Sequence, residues 1–338
     1  MSERSKQESV GVVVIGRNEG ARLTECLASL AGQADRIVYV DSGSTDDSVA
    51  AAQLAGAETV ALDMSKPFTA ARARNAGYAS LVRNGGAPEF VQFVDGDCEI
   101  APGWIKEGAE HLAADKDAAV VFGEIFEKAP EKTLYNRMID REWRGNPGET
   151  EWCGGIAMMR ARAFEQVGGF RNSLIAGEEP ELCVRLREQG WKIWRHHQQM
   201  ALHDADMRSL GQWLKRARRA GHAFAEVSAL HLRSDKSIWK RETMRPIAWI
   251  GGIAIILGLG VAIDPAFWIF LALYLLQIAR MASRDNPTTK DSFFYAALLF
   301  IQKPWEAAGV GQYWLNRLSG RNAKLIEYRA HDAGQRAP

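Results

Sequence analysis

An α/β fold with a mainly parallel sheet flanked by helices is predicted for the first two hundred residues, followed by a C-terminal hydrophobic helical region. Three observations make the prediction. Short Val- and Ile-rich runs alternate with helical stretches, the pattern of βαβ units. The first run shows no polar alternation, as expected of a strand covered on both faces. The ends of the runs carry Asn18-Glu19, Asp41 and Asp95-Gly96-Asp97, and in such sheets ligands sit beyond the carboxyl ends of the strands.

In chain order, Val10–Ile15 reads as a buried strand, Gly20–Ala31 as a helix and Arg36–Val40 as the next strand. Thr45–Ala55 reads as a helix, Glu58–Leu62 as extended, Thr69–Arg83 as a helix, and Phe90–Val94 as a strand running directly into Asp95. Lys192–Arg195 is extended, with His203 just past it. Ten Lys or Arg residues then fall between Arg208 and Arg245. From Ile247 to Ala279 the single charge is Asp264, in a break at Asp264-Pro265. The first apolar piece would be roughly 25 Å long, marginal against a hydrocarbon core of about 30 Å. Two spans in a tight hairpin, a re-entrant pair, or a buried helical pair all fit. Cationic flanks on both sides favour the membrane readings, and Arg280, Arg284 and Lys290 put both ends on the cytoplasmic side. Around Gln312–Ser319, Tyr313 and Trp314 mixed with Asn316 and Arg317 suggest an interfacial helix. The chain thus divides into a polar tail (1–9), an α/β domain (10–207), a basic segment (208–245), an apolar helical pair (246–282), and closing helices with a tail (283–338).

Composition narrows the classes. Hydrophobic residues make up 47% and charged residues 25%, so most of the chain is expected to fold. A net charge of +1 argues against a general nucleic-acid binder. Met1–Ser9 lacks the apolar stretch of a signal peptide, which suits a cytoplasmic start. Cys26, Cys98, Cys153 and Cys183 form no CxxC pair, which points to reduced thiols rather than a zinc site or disulfide framework.

Asp95 and Asp97, two acids across a small residue, can turn toward one ligand, and their oxygens suit Mg²⁺ or Mn²⁺ held together with substrate phosphates. Asp-Gly is also ordinary turn chemistry. Ser44 or Thr45 reads as a helix cap with Asp46 and Asp47 in the first turn, but capping leaves Asp41, which ends the strand itself, unexplained. A carboxylate there can accept hydrogen bonds from a base or ribose. Glu178-Glu179-Pro180 also fits an acid-rich helix start.

Taken in order, these landmarks resemble the family 2 glycosyltransferases, whose catalytic domain has the GT-A fold. The match runs over roughly residues 10 to 190. It comprises Val10–Ile15 with Arg17-Asn18-Glu19, Val38–Ser48, Ala71-Arg72-Ala73-Arg74-Asn75-Ala76-Gly77, Asp95–Asp97, Gly154-Gly155, and Glu178-Glu179-Pro180-Glu181-Leu182 with Arg185. The resemblance implies a nucleotide-sugar site of Arg17, Asn18, Glu19, Asp41 at the base, Arg74 near the nucleotide and Asp95 near the ribose. It also implies Asp97 as metal ligand, completed by His203, with Mn²⁺ or Mg²⁺ as cofactor. Glu179 beside Glu178 looks like the general base, and Gly154-Gly155 marks the acceptor side. The family usually carries Asp where Glu179 stands, and Ile15-Gly16 departs from the usual turn before Arg17. Arg216 and Arg219 resemble the helix that reaches the diphosphate in membrane-attached members; a basic stripe drawn to anionic lipids is the plainer reading.

One base and no second nucleophile imply an inverting displacement at the anomeric carbon. The expectation is an enzyme at the cytoplasmic face of the inner membrane, moving sugar from a nucleotide-diphosphate sugar, UDP preferred to GDP, to a lipid-linked saccharide or cell-envelope glycan. A polyprenyl-phosphate sugar synthase is the runner-up; it would need no base, because its acceptor is already ionised. A sugar-1-phosphate nucleotidyltransferase fits less well, since Gly16-Arg17-Asn18-Glu19-Gly20 lacks the expected glycine-rich loop and no Lys signature follows.

Overall fold

The computed structural model describes residues 9–34, 36–285, 290–321 and 325–326, without the side chains of 284 and 285. The polar tail up to residue 8, the Arg284 side chain and the final tail therefore lie outside the described residues. The chain forms two compact units, one of 9–206 with 233–236, the other of 207–232 with the described part of 237–329.

The first unit is a nine-stranded sheet between helices. Its opening half is as expected: β1 (Val10–Gly16), α1 (Ala21–Leu30), β2 (Arg36–Asp41), α2 (Ser48–Leu54), β3 (Glu58–Ala61), α3 (Ala70–Gly85) and β4 (Phe90–Asp95). β3, β2, β1 and β4 run parallel in that spatial order. Val12, Val13 and Val14 of β1 are fully buried because helices cover both faces. Gly77 sets the approach of α3: a β-carbon there would run into Val13 and stand 2.9 Å from Val40.

After β4 come β5 (Cys98–Ile100), α4 (Trp104–Ala114), β6 (Ala118–Glu127), α5 (Leu134–Glu142), β7 (Gly148–Thr150), β8 (Ala157–Arg160), α6 (Ala161–Gln166), α7 (Glu178–Glu188) and β9 (Lys192–His203). Here the sheet is mixed. β8 is antiparallel to β4 and β6, β6 is parallel to β9, and β9 carries β5 and β7 antiparallel. The extended stretch predicted to end at Arg195 continues to His203, because its far end pairs with β5 and β6. That pairing is long-range and leaves no local mark.

One cap differs from expectation. α2 starts at Ser48 rather than Thr45, with Asp47 at its N-cap and no side-chain cap bond. Ser44 and Thr45 are engaged by the neighbouring turn: Ser44 Oγ accepts from Asn18 N at 2.9 Å, and Thr45 N donates to Asn18 Oδ1 at 2.7 Å.

The second unit contains α8 (Leu210–Leu230), α9 (Lys240–Ala262), a 3-10 helix at Pro265–Leu271, α10 (Ala272–Asp285), α11 (Lys290–Ile301) and α12 (Lys303–Leu318). The break falls where expected, with Asp264 capping through Ala266 N at 2.7 Å. α9 begins upstream of Ile247, so at about 35 Å it is long enough to cross a hydrocarbon core. Lys240–Ala262 and Pro265–Ser283 are each long and apolar enough to cross a membrane, and little of either is buried within the protein. α8 and α12 meet backbone to backbone: a β-carbon on Gly221 would strike the Glu306 carbonyl, and one on Gly309 the Arg218 carbonyl. Trp213 donates to Gln302 at 2.8 Å and Arg218 to Gln312 at 3.0 Å across the same pair.

Candidate active site

The Ala71–Gly77 segment explains itself residue by residue. Thr69 caps α3 by accepting from Arg72 N. Ala71 and Ala73 are buried, and Gly77 admits β1. Asn75 holds the 170 segment, donating to the Phe170 carbonyl at 2.7 Å and accepting from Phe170 N at 3.0 Å. Arg74, 2% exposed, points into the end of the sheet.

There it gathers three acids. Its Nη2 lies 2.8 Å from Asp95 Oδ1, and its Nη1 lies 2.8 Å from Glu178 Oε1 and 2.7 Å from Glu179 Oε1. One guanidinium thus joins the strand-end acid of β4 to both acids that open α7. Arg74 was expected near the nucleotide; in this state its fork is engaged by carboxylates. Its pKa is raised, because the three acids outweigh the cost of burial. Burial raises Glu179 from its ordinary 4.5 to about 7, reinforced by Glu178 and opposed by Arg74. α7 is anchored below by buried Glu181, which accepts from Arg171 at 3.1 Å and from Arg185 at 2.7 Å.

Gly155 faces this cluster. A β-carbon there would stand 2.5 Å from Arg74 Nη2, 2.9 Å from Asp95 Oδ2 and 3.1 Å from Glu179 Oε1. At Gly154 a β-carbon meets open space. Cys153, just before, lies with its sulfur 3.6 Å from that of Cys183 on α7, both thiols buried.

Asp41 accepts from the Gly43 and Ser44 amides at 3.0 Å each and from the Tyr39 hydroxyl at 3.3 Å. Asn18, in the left-handed region at φ 55°, ties the turn after β1 to the loop after β2. Glu19 pairs with Arg22 at 2.9 Å, and its amide donates to Ser48 Oγ at 3.2 Å. Arg17 belongs to the same turn. Arg216 and Arg219 lie on α8 in the second unit, where the Arg216 guanidinium stands 5.7 Å from the Trp213 ring centre.

Asp97 and His203 do come together, with His203 Nε2 3.4 Å from Asp97 Oδ2. Ligand atoms of Asp97, Cys98 and His203 all lie within 4.8 Å of one another. Carboxylate and imidazole suit Mn²⁺, whereas a thiol suits softer ions. Burial and the neighbouring Asp97 and Asp95 keep the Cys98 thiol protonated, and it donates to Asp97 Oδ1 at 3.4 Å. The Asp97 and His203 pair therefore fits a divalent cation. Cys98, Glu127 and Trp143 around His203 were not foreseen. Trp143 sets its ring edge-on to His203, centres 4.4 Å apart. Glu127 had a signal: Ala118–Glu127 is a mostly apolar run, interrupted by Glu124, that ends in an acid, the feature that singled out Asp41 and Asp95.

Residues 11–168 match the family model described as glycosyl transferase family 2. Residues 138–207 match the one described as the N-terminal domain of galactosyltransferase. Pre-mycofactocin glycosyltransferase of Mycobacterium tuberculosis is 29% identical over 236 residues, covering 66% of this chain and 48% of that protein. The chain therefore spans about half the length of this curated relative. Among solved structures, a mannosyltransferase from Pyrobaculum calidifontis in complex with GDP-Man and Mn²⁺ superposes with a TM-score of 0.63 at 16% identity, over 91% of this chain and 87% of that one. S. aureus TarS 1–349 superposes at 0.50 with 14% identity, over 93% and 92%. At these identities the likeness is one of fold, and the fold is GT-A.

Proposed function

On the match of residues 11–168 to glycosyl transferase family 2, we propose that this chain is a glycosyltransferase of that family and moves a sugar, with inversion, from a nucleotide-diphosphate sugar to a hydroxyl of a lipid-linked saccharide or cell-envelope glycan. UDP is preferred to GDP as the nucleotide, although the mannosyltransferase of similar fold was solved with GDP-Man. The observation that carries the reading is the cluster at Arg74. Glu179, raised to about 7, stands over Gly155 and shares a guanidinium with Asp95.

Each residue then has a task. Asp41, held by two backbone amides, presents its carboxylate to the base, with Arg17, Asn18 and Glu19 forming the facing turn. Asp95, oriented by Arg74, receives the ribose. Gly154 and Gly155 leave the acceptor side without side chains, so that a sugar can approach the carboxylates. Glu179 accepts the proton of the attacking hydroxyl; a pKa near neutral suits a base that must be ionised yet basic enough to take it. Glu178 keeps Arg74, and through it Glu179, in place. Asp97 and His203 would hold Mn²⁺ or Mg²⁺, which when bound neutralises charge developing on the leaving diphosphate. The apolar helices of the second unit and the α8 basic residues Arg216 and Arg219 suit a membrane surface with anionic lipids, and hence a lipid-linked acceptor at the cytoplasmic face.

Glu179→Gln separates this reading from a polyprenyl-phosphate acceptor. Single-turnover transfer to a sugar hydroxyl should fall by roughly 10²–10⁴-fold with nucleotide-sugar affinity little changed. An already ionised phosphate acceptor needs no proton removed, so a variant within a few-fold of the parent would favour the synthase instead.

A further inference from the structure

We infer that Glu127 is a positioning residue for the metal site: its buried carboxylate faces His203 Nδ1, favours the ring proton on that nitrogen by its charge, and thereby leaves the Nε2 lone pair toward Asp97. The inference rests on the metal-dependent reading above and adds to it a residue outside the acid pair and its histidine.

Sheet register makes the arrangement. Glu127 is the last residue of β6 and lies directly opposite His203, the last residue of β9, while His203 faces Cys98 on its other side. The Glu127 side chain is fully buried and half fixed by others: Ala205 N donates to Oε2 at 3.1 Å, and Asn136 Nδ2 donates to Oε1 at 3.2 Å. Its Oε2 stands 3.6 Å from His203 Nδ1, while His203 Nε2 stands 3.4 Å from Asp97 Oδ2. The imidazole thus lies between two carboxylates, one on each nitrogen. Two acids cannot both receive a proton from a neutral ring, so the tautomer decides which nitrogen is left to bind a cation. Glu127 is held by Ala205 N, just past β9, and by Asn136 of α5, whereas Asp97 sits on the strand-end turn with the ribose-side acid. A proton on Nδ1 leaves Nε2 and Asp97 facing each other as a donor set. Trp143, edge-on to the ring, limits its rotation. Histidines that bind metals are commonly oriented in this way by a carboxylate on the other nitrogen, and losing that partner typically costs 10–100-fold in metal affinity.

The test uses the full chain in detergent, with Mn²⁺ binding followed by electron paramagnetic resonance in the presence of UDP and, separately, GDP. Glu127→Gln should weaken Mn²⁺ binding by about 10–100-fold. The same substitution in a His203→Ala background should add almost nothing, because the effect passes through the histidine. A parent that binds Mn²⁺ with neither nucleotide would remove the metal-dependent reading and this inference together. A parent that binds it, with Glu127→Gln within twofold or with additive losses in the double variant, would overturn this inference alone. Should Glu127→Gln fail to fold, the parent still decides. The ¹⁵N shifts of neutral His203, assigned by comparison with His203→Ala, should report the proton on Nδ1, and a proton on Nε2 refutes the assignment.

Discussion

Gly155 is where a single atom matters most, since the β-carbon of alanine has nowhere to go except between Arg74 and the acids it gathers. Gly155→Ala should therefore fold, because the atoms it crowds all belong to side chains, yet, with Glu179 as the proposed base, lose on the order of 10²-fold in single-turnover rate through a displacement of a fraction of an ångström. Near-parent turnover with an unchanged melting temperature would show that the cluster tolerates the shift. Glu179 supplies a second expectation at this scale. Its pKa is raised, so the rate should climb as pH rises through about 7 and level off above it. Glu179→Gln should lose that limb. The stability term has the opposite sense: between 4.5 and about 7 the folded state holds a proton that the unfolded state has released, so this group's contribution to stability declines as pH rises through that window. A rate that is flat across pH 6–8 while chemistry is rate-limiting contradicts the assignment.

The turn after β1 and the loop after β2 form one element, joined through Asn18. Asn18→Ala should cost about 2 kcal/mol, from a left-handed backbone that alanine resists and from the lost hydrogen bond to Thr45 N. Asn18→Gly relieves the first and keeps the second, so its loss should be nearer 1 kcal/mol; equal melting temperatures for the two variants would contradict this division. These elements also show what could be read in advance. The parallel half was legible because Val10–Ile15, Arg36–Val40 and Phe90–Val94 are mainly apolar runs largely buried in the sheet, the last two leading straight into Asp41 and Asp95. The cap of α2 was misjudged because Ser44 and Thr45 fit two hydrogen-bonding roles, and only the fold shows that the turn after β1 claims them. β9 was cut short at Arg195 because His196, His197, Gln198 and Gln199 interrupt the apolar pattern, while pairing with β5 and β6 carries the strand on. Glu127 carried a local signal, an acid at the end of a run, but what it faces, His203, comes from a partner strand more than sixty residues away along the chain.

On the scale of the whole molecule, the second unit carries two helices long and apolar enough to cross a membrane. α9 and the helical stretch after Asp264 expose Ile255, Val261, Ile269 and Leu275, an apolar surface of the kind that marks a membrane or protein contact. The meeting of α8 with α12 has a topological consequence. Two helices far apart in sequence touch through Gly221 and Gly309, so the chain between them is a closed loop. A closed loop crosses any plane lying beyond its point of closure an even number of times. One passage or three through a bilayer is excluded by parity alone, whatever the charges on the flanks, leaving two passages or none. Single cysteines at Leu210 and Ser319, introduced where the four native thiols are buried, should thus react with a membrane-impermeant reagent from the same side of a sealed vesicle. Reaction from opposite sides would mean that the Gly221 and Gly309 contact is not made in the membrane.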